Sequence, residues 1–95
     1  MTGIHLRTRL CELLDINYPI CLAGMGSQGR ATPPALVAAV SEAGGLGVIG
    51  AAGLSPSRLR AVIREARALT AKPIGVNLVL PQAAAKAELD RDRIR

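Results

Sequence analysis

Short apolar runs alternate along the chain with segments whose apolar positions follow helical spacing. The runs begin near Ile20, Leu46 and Ile74, which are 26 and 28 residues apart. The first run, residues 20–23, contains no charged side chain and predicts a strand buried on both faces. Connections long enough to hold a helix favour parallel pairing, because antiparallel neighbours need only a short turn. The pattern therefore predicts an α/β fold with the order β-α-β-α-β.

Helix signals occupy the segments around and between these strands. Residues 8–14 have the apolar spacing of a short amphipathic helix. Thr32 followed by Pro33 predicts a side-chain cap and a helix start, and Gly44 predicts the end of that helix. Ser55 and Pro56 repeat the same opening for the next helix.

The helix after Ser55 separates apolar from basic positions. Its basic positions share one arc, which predicts a solvated face; these are Arg60, Arg64 and Arg67. The apolar positions share another arc, which predicts the buried face; these are Leu59, Val62, Ile63, Ala66 and Leu69. A strand is predicted over residues 74–80, and the segment 82–95 has the pattern of a further helix.

Length and charge limit what such a chain does alone. Its 95 residues fall short of the roughly 250 of a closed eight-stranded α/β barrel. A net charge of +5 raises the question of nucleic acid, but the arginines are scattered and Tyr18 is the only aromatic residue. Base stacking needs more aromatic surface than that, so we expect no nucleic-acid partner.

The two cysteines and the apolar runs indicate a compartment. Cys11 and Cys21 form no metal-binding or disulfide motif, which predicts two small buried side chains, no metal and a reducing environment. No apolar stretch approaches the roughly 18 residues of a membrane span. The expected location is the cytoplasm, with no membrane partner.

A glycine motif follows the first predicted strand. Gly24, Gly26 and Gly29 match G-x-G-x-x-G, the dinucleotide-binding pattern, so a small Rossmann-like nucleotide-binding module is one alternative. In that fold the helix begins within the glycine run, whereas Pro33 and Pro34 delay it here. The second strand also ends without the carboxylate that would bind the ribose.

A second glycine-rich segment, GGLGVIGAAG, surrounds the second predicted strand. Gly45, Gly47 and Gly50 repeat the spacing, but the residues between them must form the strand itself, which makes this match accidental. The near absence of side chains at the strand end permits close approach of a ligand or of a neighbouring backbone.

Asn77 interrupts the aliphatic third strand. A buried amide needs hydrogen-bond partners, which predicts either a bond to a neighbouring loop or a place in a ligand site. The carboxyl ends of strands are where α/β proteins bind ligands, and Asn77 lies toward that end.

The order YPI-CLAGMG, LVAAVSEAGGLGVIGAAGLSP and KPIGVNLVLP resembles the N-terminal third of the nitronate monooxygenases, formerly called 2-nitropropane dioxygenases. The resemblance implies the first three units of an FMN-binding (β/α)8 TIM barrel, with residues 1–95 the N-terminal part of a single, incomplete barrel domain. The flavin-dependent enoyl-acyl-carrier-protein reductases share this layout and are the enzyme alternative.

By position in these motifs, the resemblance implies that FMN lies against Ala23, Gly24, Met25 and Asn77. Leu22 departs from the family, in which many members carry Gln or Asn. The family's catalytic histidine comes from a later strand, and His5 does not match it, so no catalytic residue is assigned in this chain.

The implied activity is FMN-dependent oxidation of alkyl nitronates by dioxygen to carbonyl compounds and nitrite. A chain that holds one side of the flavin is expected to bind FMN weakly or not at all and to show no turnover. The open edges of its sheet are expected to favour self-association.

Overall fold

In a computed structural model, which describes residues 6–27 and 30–79, helices and strands alternate after a short N-terminal helix. Their order is α1 (Arg9–Leu14), α2 (Pro34–Glu42), β1 (Gly47–Gly50), α3 (Pro56–Leu69) and β2 (Ile74–Asn77). Each of these elements lies within a segment for which the sequence predicted it. The α/β class is therefore confirmed.

The two strands pair in parallel. Gly47 is opposite Ile74 and Gly50 is opposite Asn77, so both strands end at the same edge of the sheet. Helix α3 makes the connection between them, as parallel pairing requires. Ligand-binding loops of parallel sheets lie at this carboxyl edge.

The first predicted strand is reduced to a single bridge. Cys21 forms a parallel bridge with Leu46, supported by 2.9 Å hydrogen bonds from Leu46 N–H to the Ile20 carbonyl and from Leu22 N–H to the Leu46 carbonyl. The direction is as predicted, but burial on both faces is wrong, since the Ile20 side chain is 58% exposed. Within the described residues this segment has a sheet neighbour on one side only.

Cys21 is exposed for the same reason, which corrects the prediction of two buried cysteines. Cys11 is buried in α1 as predicted, and both thiols are free.

The third strand is also shorter than predicted. It ends at Asn77 because β1 ends opposite it, and Leu78 and Val79 are exposed. Leu80 and the predicted helix over 82–95 lie outside the described residues.

The core lies between the helices and β1. Its buried side chains come from α2, from β1 with the residue after it, and from α3: Val37, Ile49, Ala51, Val62 and Ala66. Leu59 and Ile63 pack against this core, as predicted, whereas Leu69 is 57% exposed because it is the last residue of α3. The three arginines of the predicted solvated face are exposed.

Helix α2 packs very closely on β1. A Cβ atom on Gly47 would collide with the backbone carbonyl of Val37, so only glycine permits this approach. Ser41, buried in α2, closes the contact: its hydroxyl oxygen accepts from Gly47 N–H at 2.9 Å and its O–H donates to the Pro73 carbonyl at 2.8 Å. Gly44 follows α2 with a φ of 105°, as predicted for a helix end.

The two predicted side-chain caps have different outcomes. The Ser55 oxygen accepts from Arg58 N–H at 3.2 Å, which confirms the cap of α3. Thr32 is not a cap, because the N-cap of α2 is Pro33 and Pro34 is the first helical residue. The Thr32 hydroxyl is directed instead to the end of β1.

No helix in the described part of the chain is long and apolar enough to cross a membrane.

Candidate functional site

The four residues predicted to contact a cofactor lie together at the carboxyl edge of the sheet. Asn77 is the last residue of β2, and its carbonyl accepts from Ala51 N–H at 3.0 Å, which fixes the end of β2 beside the end of β1. The segment Ala23–Met25, called here the glycine loop, follows the Cys21 bridge. Its contacts with Gly50 and Asn77 place it at this edge.

Gly24 is the point of contact between the glycine loop and β2. A Cβ atom placed on Gly24 would lie 2.7 Å from Cβ of Asn77 and 3.3 Å from Cα of Gly50. Real Cβ atoms do not approach so closely, so the loop lies in this position only because residue 24 has no side chain.

Gly50 makes the matching contact from β1. A Cβ atom there would lie 2.5 Å from the Met25 carbonyl oxygen and 3.0 Å from the Met25 nitrogen. Of the two uses predicted for a strand end without side chains, the structure shows approach of a neighbouring backbone. The space above Gly50 is thus filled by the protein itself.

The backbone of the glycine loop offers hydrogen-bonding groups. Among the described residues, no backbone hydrogen bond uses the N–H or carbonyl groups of Ala23, Gly24 or Met25. Ala23 and Met25 are exposed, and Gly24 is half-buried. The Met25 nitrogen and carbonyl oxygen lie against Gly50, which leaves the backbone groups of Ala23 and Gly24 for a ligand at the edge where parallel sheets bind them.

Asn77 is exposed, so the prediction of a buried amide is wrong. The amide lies at the end of β2, and no strand among the described residues covers the far side of β2. Its Cβ supports Gly24, while the side-chain hydrogen bonds found within the described residues leave its amide unused. An amide supplies both donors and an acceptor, which suits a ligand with alternating carbonyl and N–H groups.

The glycine loop also presents an apolar side chain. Met25 is 48% exposed, whereas the exposed Val76 precedes Asn77 in β2, so its side chain projects to the opposite face of the sheet. A flat ring system with an apolar body and one polar edge, such as the isoalloxazine of FMN, matches this combination of apolar surface, amide and open backbone groups. The residues present therefore fit the cofactor that the sequence motifs imply.

Thr32 also lies in this region, although the sequence predicted it to be the cap of α2. It is fully buried, and its hydroxyl oxygen accepts from Gly50 N–H at 2.9 Å. The only sequence signal was a polar residue before two prolines, which predicts a helix cap equally well.

The position of α2 argues against the dinucleotide-binding alternative. Helix α2 begins at Pro34, well after Gly26, so its N-terminus does not meet the glycine motif as it does in a Rossmann unit. Gly29, the third glycine of the motif, and His5 lie outside the described residues.

Comparison with known proteins identifies relatives of the chain. Residues 7–94 match the nitronate monooxygenase family. A protein named probable nitronate monooxygenase from Staphylococcus saprophyticus is 49% identical over 78 residues, which cover 82% of this chain and 21% of that protein. One of the same name from Staphylococcus aureus is 44% identical over 75 residues, covering 79% and 20%.

A solved structure resembles the fold. FabK from Thermotoga maritima superposes with a TM-score of 0.73 at 51% identity, over 78% of this chain and 23% of that one. The chain thus spans about a fifth of the length of the curated relatives it matches. Because the family match extends over most of the sequence, this chain belongs to the nitronate monooxygenase family.

Proposed function

We propose that this chain forms one side of the FMN site of a flavin-dependent nitronate monooxygenase. In this proposal, residues 1–95 are the N-terminal part of one (β/α)8 barrel domain and supply its first three units. Family membership over residues 7–94 and the parallel strand pairing support it. Since the aligned segment is only about a fifth of each relative, the activity belongs to the whole protein of the family.

The observation that carries the proposal is the contact between the glycine loop and Asn77. It brings together the backbone groups of Ala23 and Gly24, the exposed Met25 side chain and a side-chain amide at the carboxyl edge of parallel strands. The amide would bond the polar edge of the flavin ring, and the loop backbone would lie against the ring near its reactive part.

When bound, FMN supplies the electron acceptor for oxidation of an anionic alkyl nitronate, which dioxygen converts to a carbonyl compound and nitrite. The residues of this chain would orient the ring, and the exposed Met25 side chain would exclude water from part of it. No acid or base is assigned here, in keeping with a catalytic histidine on a later strand.

A chimera tests the proposal. The segment of the Staphylococcus saprophyticus protein that aligns with this chain is replaced by the present sequence, and flavin content and nitronate-dependent oxygen uptake are measured. We expect a yellow protein that oxidises alkyl nitronates. The isolated chain, which offers one side of the site, is expected to bind FMN weakly or not at all.

Asn77→Ala in the chimera isolates the contribution of the amide, because alanine keeps the Cβ atom that supports Gly24. Loss of the hydrogen bonds should weaken FMN binding roughly tenfold. Leu69→Ala, which removes an exposed side chain of α3, is the control. A colourless chimera, or equal FMN affinity in the Asn77→Ala variant and the control, would contradict the proposal.

The likeness to FabK, at 51% identity, favours a second candidate as strongly as the named relatives favour the first. This candidate is a flavin-dependent enoyl-acyl-carrier-protein reductase, the enzyme alternative that the sequence motifs imply. Such an enzyme would use the same proposed FMN contacts but would oxidise a reduced nicotinamide cofactor. Grafting this chain into FabK as well, and comparing enoyl reduction with nitronate oxidation in the two chimeras, separates the candidates.

A further inference from the structure

The glycine loop is supported from below by a buried polar contact. Thr32 is fully buried, and its hydroxyl oxygen accepts from the backbone N–H of Gly50 at 2.9 Å. Gly50 is the last residue of β1, and Thr32 lies far from it in sequence, just before α2. The contact therefore ties the end of the strand to the segment that leads from the glycine loop to α2.

Thr32 and the glycine loop meet at the same residue. A Cβ atom on Gly50 would lie 3.0 Å from the Thr32 oxygen, 3.0 Å from the Met25 nitrogen and 2.5 Å from the Met25 carbonyl oxygen. Gly24, one residue before Met25, packs against Cα of Gly50 and the side chain of Asn77. A continuous packed series thus runs from the hydroxyl through β1 to the candidate cofactor contacts.

We propose that Thr32 is a positioning residue for the glycine loop. By holding Gly50 N–H, its hydroxyl fixes the surface of β1 on which Met25 and Gly24 rest, and so sets the distance between the loop and Asn77. Being buried, Thr32 does not contact a ligand itself. The importance of this position for cofactor binding rests on the proposed function, but the positioning of the loop by Thr32 is a property of the protein alone.

Ser41 provides a matched control at the other end of β1. It is also buried, and its hydroxyl oxygen accepts from Gly47 N–H at the same 2.9 Å. Gly47 is three residues from Gly50, or about 10 Å along a strand. Ser41→Ala therefore removes the corresponding hydrogen bond from the same strand, together with the bond to the Pro73 carbonyl, without touching the glycine loop. A purely structural role of Thr32 predicts that the two variants behave alike.

The test uses nuclear magnetic resonance of the protein without any cofactor. Thr32→Val, Thr32→Ser and Ser41→Ala are compared for amide exchange at Gly50 and for the heteronuclear NOE of Ala23, Gly24 and Met25. Thr32→Val should accelerate exchange at Gly50 roughly tenfold, as expected for one lost hydrogen bond. It should also lower the loop NOE values, while Thr32→Ser restores both.

Ser41→Ala should accelerate exchange at Gly47 and leave the loop unchanged. Equal loop NOE values in Thr32→Val and Ser41→Ala would overturn the proposal. The wild-type protein gives a test that needs no stable variant, since a Gly50 amide that exchanges much faster than that of Ile49 would overturn it as well. Because no flavin is present, failure here is distinct from a colourless chimera, which counts against the proposed function.

Discussion

Gly24 packs so closely on Asn77 that a Cβ atom on the glycine would lie 2.7 Å from the Cβ atom of the asparagine. The two residues are distant in sequence and come from different elements, a loop and the end of β2. Their contact joins two of the motifs on which the family resemblance rests. It also means that the candidate site depends on the absence of one particular side chain.

Substitution of Gly24 by alanine should therefore destabilise the protein. The new methyl group meets Asn77 Cβ and the backbone of Gly50, and overpacking of this kind costs about 1–3 kcal/mol in the free energy of unfolding. Urea denaturation followed by circular dichroism measures the change. Gly75→Ala is the control, because its nearest contact is the tip of the Val48 side chain at 3.2 Å.

Removal of the opposing atom gives a stricter check of the Gly24 prediction. Asn77→Gly takes away the Cβ atom with which the alanine collides, so the double variant should be more stable than the sum of the single effects predicts. Additive free energies of unfolding would show that the two residues are not in contact.

Ser55→Ala should destabilise α3. The Ser55 hydroxyl oxygen accepts from Arg58 N–H, and loss of such a cap costs about 1 kcal/mol. The shift is measured as a lower urea midpoint. Ser57→Ala, at the second residue of α3, removes a hydroxyl that contacts the Ser55 hydroxyl at 3.3 Å but does not accept from the helix backbone, and it should change the midpoint much less. Equal shifts in the two variants would contradict the assignment of Ser55 as the cap.

The two cysteines should differ sharply in reactivity. Cys21 is exposed at the sheet edge, whereas Cys11 is fully buried in α1. Titration with a thiol reagent under native conditions should show one fast and one slow phase, and Cys21→Ser should remove the fast phase. If both thiols reacted in one fast phase, Cys11 would not be buried in α1 as described.

The free edge of the sheet at β2 should promote self-association of the isolated chain. Val76, Leu78 and Val79 are exposed on or just after β2, and within the described residues β2 has a neighbour on one side only. We expect species larger than a monomer in size-exclusion chromatography with light scattering. Val76→Lys, which places a charge on this edge, should shift the distribution toward the monomer. A monomer at all concentrations would contradict the prediction.

Prediction from sequence was most accurate where the signal is local. The cap at Ser55, the end of α2 at Gly44 and the buried positions Val62 and Ala66 all follow from residues within one or two helical turns. The glycine loop and Asn77 were named from family motifs, and the structure brings them into contact. Their role toward FMN stays a prediction.

Errors occurred where the outcome depends on distant neighbours. Thr32 has the local pattern of a cap, but α2 begins two residues later and the hydroxyl bonds Gly50 instead. Cys21 and Asn77 have the pattern of buried strand residues, yet both are exposed because a strand is buried only when another element covers each face. Local sequence does not contain that information.

By itself, the sequence determined the alternation of strands and helices, their parallel pairing and the family, because these depend on periodicity, turn residues and the order of motifs. Only the tertiary structure decided how far each strand extends, which side chains are buried, and that the Thr32 hydroxyl supports Gly50 beneath the glycine loop. The physical reason is that burial and long-range hydrogen bonds depend on which surfaces meet in three dimensions, and periodicity along the chain does not specify those neighbours.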